Sequence, residues 1–367
     1  AAGCAHGSRP MGGDWTEART PHFVLKSDLE ERELRELAQE FEASYRAIQS
    51  CVYPNGDDPP GESHVVLLGS WEEYTSIRPE GSAAFYTTRR SPFETTPLIV
   101  LPARKRDRML EVFQHELVHR FIRHYFPSAP RWLHEGLAQV LSTATIEDDG
   151  VIVGRELARM HWDGARWTVF GMSLPDLAPD LDDLTTMNSA IFMQEAVHAY
   201  PGSFAFVHTL LLGSVEHQHA FGAYLGDLRG GLADERKAFE RHFAELIPDV
   251  EREYRLRMTT ENLPTQVYPL VGKTANDITL RAMPSAEAHA LWGRLRMDTP
   301  DGRIQSTRDA ELALASDPRS PEGYLLRATL RLRVGGVSDA QKDIRKALGF
   351  APADQRLTRA LGTLLVP

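Results

Sequence analysis

Cysteine is nearly absent from this sequence: there are two in 367 residues, Cys4 and Cys51, so at most one disulfide can form. Basic charge is also short. Lys and Arg number 41 against 51 acidic residues, the net charge is −10, and only six of the bases are Lys. That balance leaves no basic footprint for nucleic acid. No apolar run approaches the roughly 18 residues of a membrane span. With 42% hydrophobic and 25% charged residues over a length sufficient for two to three domains, the composition is that of a soluble globular protein with a sizeable core.

What the chain does have is a concentrated motif. Gln114-His115-Glu116-Leu117-Val118-His119 is followed by Pro130-Arg131-Trp132-Leu133-His134-Glu135-Gly136-Leu137-Ala138. Residues four apart share a helix face, so His115 and His119 can point at one atom. Two imidazole nitrogens at that spacing make two corners of a tetrahedral site. Glu116, on a neighbouring part of the turn, is placed to hold a water rather than the metal. Glu135, on a second helix-like stretch after a Pro-containing turn, is the candidate third ligand.

HExxH followed by Trp-Leu-x-Glu-Gly-x-Ala resembles the zinc-ligand helices of gluzincin metallopeptidases, the peptidase MA clan, and most of all the bacterial peptidase MA-like group. The resemblance spans roughly residues 20–258. It implies one zinc ion bound by His115, His119 and Glu135, with Glu116 as general base and acid. It also implies a donor for the oxyanion from the helical half. The candidate there is Tyr200, ahead of Pro201-Gly202, with His198 as a rival. Two features depart from the family: the spacing from His119 to Glu135 is short, and Gln139 stands where an acid often supports a ligand histidine. His134, adjacent to Glu135, is expected to point away from the metal.

Taken in order, residues 1–20 read as a flexible tether. Ala1-Ala2-Gly3-Cys4 resembles the end of a bacterial lipoprotein signal, which implies a lipidated Cys4 and a cell-envelope location. The other options are a Cys4–Cys51 disulfide or a coincidental cysteine, and a lipidated Cys4 would leave Cys51 free. A strand is expected at Thr20–Lys26, then a helix capped by Ser27 or Asp28 and running to about Ser50. Strands follow at Ser63–Leu68, Ala83–Thr87 and Pro97–Leu101, with a short helix at Trp71–Ile77. The metal helix spans Arg106–Tyr125 and the next Arg131–Ser142. The bases Arg104, Lys105, Arg106 and Arg108 read as a solvated face. From 150 to 258 the pattern is mostly helical, with one helix broken at Pro201-Gly202. The metallopeptidase domain thus covers 21–258, and 259–280 reads as a linker. Pro284, Pro318 and Pro352, 34 residues apart, mark tetratricopeptide-like repeats over 281–367.

The expected fold class is therefore an α+β zincin-type domain, a small mixed sheet with a helical half behind it and a cleft between, followed by an all-α repeat domain. The expected function is zinc-dependent hydrolysis of peptide or protein substrates. Residues 95–102 carry no acid to anchor a substrate amino group, which favours an endopeptidase, with the 83–101 strands as an edge for extended peptide. A partner at the repeats is expected, membrane association only through a lipid at Cys4, and no nucleic acid. The alternative from another class is a zinc-stabilised scaffold whose repeats bind partners.

Overall fold

The computed structural model describes residues 14–52, 56–78, 85–90, 95–103, 106–148, 150–230, 234–272 and 277–365. Cys4, Arg104 and Lys105 lie outside them. In chain order, β1 (Thr16–Arg19) and β2 (Phe23–Ser27) precede α1 (Glu31–Val52), β3 (Ser63–Leu68), α2 (Trp71–Ile77), β4 (Phe85–Arg90) and β5 (Thr95–Pro102). Then come α3 (Arg106–Tyr125), α4 (Arg131–Leu141), β6 (Thr145–Glu147), β7 (Gly150–Val153), β8 (Met160–Trp162), β9 (Trp167–Val169) and β10 (Met172–Ser173). The helices α5 (Leu174–Leu177), α6 (Leu181–Thr186), α7 (Ser189–Gln194), α8 (Ala196–Leu212), α9 (Val215–Arg229), α10 (Glu235–Phe243) and α11 (Ile247–Arg257) follow. After β11 (Gln266–Pro269) and β12 (Thr279–Ala282), the chain ends in α12 (Ser285–Arg296), α13 (Gly302–Ser316), α14 (Pro321–Leu332), α15 (Val337–Phe350) and α16 (Gln355–Leu365).

The chain divides into two compact units, one of residues 1–39, 62–104 and 276–367, the other of 40–61 and 105–275. The first unit holds a six-stranded mixed sheet of order β12-β1-β2-β3-β5-β4, parallel between β2, β3 and β5 and antiparallel elsewhere. One face of it, including Val66, Leu68 and Val100, packs with Tyr74 of α2 and with Leu291, Trp292 and Leu295 of α12 in one apolar cluster. Trp15 meets Trp292 edge-on, ring centroids 6.0 Å apart. The second unit is mainly helical and carries two three-stranded sheets, β11-β7-β6 and β10-β9-β8.

This arrangement corrects several expectations. Residues 16–19, read as tether, form β1, paired with β2 and with β12. The 259–280 linker contains β11 and the start of β12. Of the helices after 284, α12 shares a core with the sheet, and α13–α16 pack on that helix and on one another in two further apolar clusters. Ser27 and Asp28 do not cap α1. The Ser27 hydroxyl donates to the Leu67 carbonyl at 2.9 Å, and Asp28 Oδ1 accepts from Gly69 N–H at 2.9 Å, tying β2 to the end of β3. The stretch 145–173, read as mostly helical beyond 150, is five short strands.

Pro201 does not break α8, which runs through it. A proline there removes one backbone hydrogen bond. The bare Gly202 lets the helix lie against Pro179, where a Cβ would stand 2.7 Å from the ring. Among the described residues no helix is long and apolar enough to cross a membrane.

Candidate metal centre

The metal helix and its neighbour come together through packing that the sequence specifies well. Buried Phe113, Leu117, Val118, Phe121 and Ile122 line α3, and Phe113 stacks on Phe41 of α1 with centroids 3.7 Å apart. Gln114 of the motif donates to Ser44 Oγ and to the Ala144 carbonyl at 3.2 and 3.0 Å, fixing the turn that carries His115. An 11-residue helix such as α4 is marginal alone. It is held by burial of nine of its residues. Trp132 sits against Phe206 of α8 and Phe239 of α10, with centroids at 4.8 and 5.9 Å. Gly136 faces α8 so closely that a Cβ would meet Val207 Cγ2 at 2.3 Å and the Ser203 carbonyl at 2.5 Å.

On these helices the three expected ligands converge. One side-chain donor atom from each of His115, His119 and Glu135 lies within 4.8 Å of the others, a group able to hold a metal ion. The two imidazole rings stand 4.8 Å apart at 87°. Glu135 is 1% exposed. Its Oε1 takes an ion pair from Arg131 at 2.9 Å. Its Oε2 faces His115 Nε2 at 3.4 Å and His119 Nε2 at 3.6 Å and has no well-formed hydrogen bond among the described residues. A buried carboxylate oxygen is rarely left so. Burial opposes the charge on Glu135, but the imidazoles and Arg131 outweigh it and bring the carboxyl down to about 2. Burial, then His115, push His119 well below its ordinary value, so it is neutral and its lone pair is free. Two imidazoles and one carboxylate with an orphaned oxygen fit a divalent cation of borderline character.

The remaining expected residues lie on α3, α4 and α8. Glu116 is half-buried on α3. The phenol of Tyr200 is raised by burial, then by Glu135 and further by Glu116, while Arg131 opposes them through its charge and a side-chain hydrogen bond. The Tyr200 phenol therefore lies within electrostatic range of both acids and is hydrogen-bonded to Arg131. Its rival does not: exposed His198 pairs with Glu195 at 3.2 Å. His134 is not one of the converging ligands; its ring centroid is 6.0 Å from that of His119, and burial followed by Arg123 lowers it to about 4.

Two contributors, Arg131 and Arg159, were not singled out from sequence, and a third, Gln139, has a different role from the one expected. Arg131, one turn before Glu135, touches both the ligand and Tyr200. Gln139 supports no ligand histidine. Its amide N–H groups donate to the carbonyls of Tyr200 at 2.8 Å and Glu135 at 3.2 Å, tying α4 to the first turns of α8. Arg159, from the loop before β8, donates to Gln139 Oε1 and so fixes which way that amide points. Only Arg131 had a local signal, its i,i+4 spacing to Glu135.

The sequence matches no protein-family model and no curated protein. What the structure defines is a mixed α+β protein whose mainly helical unit brings together two histidines and a glutamate able to hold a metal ion.

Proposed function

We propose that the protein is a zinc-dependent peptidase, with His115, His119 and Glu135 holding the ion. The observation that carries this reading is the buried, unbonded Glu135 Oε2 facing two imidazole nitrogens. The Tyr200 phenol feels the charge of both Glu135 and Glu116. Zinc bound there would supply an electrophile for a scissile carbonyl and an acidified water. Glu116 takes the proton of the attacking water and returns it to the leaving amine. The Tyr200 hydroxyl donates to the oxygen that gains negative charge, and Arg131 keeps both Tyr200 and Glu135 oriented.

Cleavage is internal rather than at a free amino terminus. Residues 95–102 bear no acid, and Glu111, the acid one turn before His115, is occupied by the Ala158 N–H at 2.9 Å. An envelope location through a lipid on Cys4, and a protein partner for the C-terminal helices as tetratricopeptide-like repeats, complete the proposal.

The test compares wild type with Glu116→Gln on an unstructured protein substrate, with metal content measured in both. We expect one zinc per chain in each and a loss of cleavage of about 10²–10⁴-fold in the variant. Undiminished cleavage would remove Glu116 as the base. A zinc-loaded wild type that cuts nothing would favour the scaffold reading.

A further inference from the structure

Large apolar side chains are concentrated on one rim of the metal centre. Met193 at the end of α7 is 53% exposed and Val197 at the start of α8 is 55% exposed. They flank the single-residue break at Glu195, Met193 in the last turn of α7 and Val197 in the first turn of α8, ahead of Tyr200. This rim is tied to the centre through Arg131. Tyr200 shares a side-chain hydrogen bond with Arg131, and Met193 Sδ lies 3.7 Å from the Arg131 nitrogen Nη2, the same atom that is 2.9 Å from Glu135 Oε1. Arg131 is thus engaged by Glu135, and Glu195 and His198 on the same rim pair with each other. Buried Phe192 stands behind it, 5.5 Å from the Tyr200 ring, and fixes its position.

We propose that Met193 and Val197 form a subsite for an apolar side chain of the substrate, beside the scissile bond. The inference rests on the peptidase reading and adds a substrate class to it. An extended peptide whose carbonyl lies at the metal must pass a side chain along this rim, continuous with Arg131 and Tyr200. An unbranched thioether adapts to varied apolar shapes, so leucine-, methionine- and phenylalanine-sized groups are all accepted. Covering the two exposed side chains favours such peptides over glycine or charged ones.

Two readouts test this. The first is cleavage of a peptide mixture by wild type and by Met193→Asp and Val197→Asp, both at exposed positions that leave the fold intact. Wild-type cuts should cluster next to apolar residues. The variants should lose about 10-fold in kcat/KM on those peptides, mainly through KM, and gain on peptides with Lys or Arg there. Cuts without apolar preference would overturn the subsite and leave peptidase action standing.

The second readout needs no turnover: affinity of the zinc-loaded protein for N-acetyl-leucine hydroxamate against acetohydroxamate. A preference of about 10-fold in wild type that vanishes in Met193→Asp supports the subsite. Equal affinities in wild type, or a preference the variant retains, overturn it. A protein that takes up no zinc, read by metal analysis alone, overturns both this inference and the reading beneath it.

Discussion

Glu135 and Asp343 are both carboxylates with 1% exposure, one in each compact unit, and they are treated in opposite ways. Asp343 of α15 is saturated. Arg327 donates to both its oxygens at 2.7 and 3.0 Å, and Arg331 adds a third contact at 2.6 Å. Glu17 in the same unit is likewise filled by Arg281 and Arg19. Glu135 has one oxygen on Arg131 and the other facing two imidazole nitrogens. Where this protein buries a charge for structure, it surrounds it with guanidinium groups. Where it leaves an oxygen without a hydrogen bond, the neighbours are two imidazole nitrogens, a group able to hold a metal ion.

The sharpest way to break that comparison is to neutralise each carboxylate. Glu135→Gln should lower zinc affinity by more than about 100-fold, since loss of groups that merely support a ligand already costs 10- to 100-fold. Metal retained after dialysis gives the measurement, and stoichiometric zinc in the variant would make Glu135 structural. Asp343→Asn should leave zinc untouched and instead destabilise the protein. Arg327 and Arg331 are about one-third exposed and can rehydrate, so the loss in denaturant unfolding is about 2 kcal/mol, below the usual figure for breaking a fully buried pair. An Asp343 variant that loses zinc would contradict the division of roles.

Histidines sharpen it further. Away from the metal centre, burial brings His208 in the helical unit and His64 in the sheet unit down to about 4. Unfolded, each would take up a proton below about 6.5. The folded state binds fewer protons in that window, so both contributions fall as pH drops from about 6.5 towards 4 and then level off. After burial, His64 owes its shift to Lys26, Arg294 and Arg19. His208 is held by the Gly154 carbonyl at 2.9 Å, which works against burial. Thermal unfolding followed over this range should show a shallower slope in His208→Gln and in His64→Gln. Added salt should flatten the His64 share more than the His208 share; equal responses would mean that burial alone sets both.

The sequence made the centre legible because its signals are local. Four-residue histidine spacing, the prolines at 127 and 130, and the apolar stripe bound α3 at the observed Arg106–Tyr125 and placed Glu135 on the next helix. The units themselves were not legible. β1 and β12 are four residues each and pair across the length of the chain, Glu17 with Arg281. Neither is long enough to show an alternating pattern, and each owes its state to the other. Arg159 was invisible for a similar reason: its partner Gln139 is 20 residues away across β6 and β7, and nothing in the spacing joins them.

Gln139 gives the smallest and most discriminating test, because sequence and structure predict opposite signs for it. If the position serves to support a ligand histidine, as an acid there would, Gln139→Glu should improve metal binding and activity. In the structure its two N–H groups feed the carbonyls of Glu135 and Tyr200. A carboxylate would set an acceptor against two acceptors, and the added charge pair with Arg159 would pull the side chain away from them. The tie between α4 and α8 would loosen, and with it the aim of Tyr200, while the three ligands stay on their helices. We expect kcat to fall about 10-fold, the cost of one lost hydrogen bond's worth of orientation, with zinc affinity changed by less than that factor. Gln139→Leu, which removes the donors without adding charge, should lie on the same side. A Glu variant more active than wild type would show that the amide serves the histidines and that the tie between the two helices is incidental.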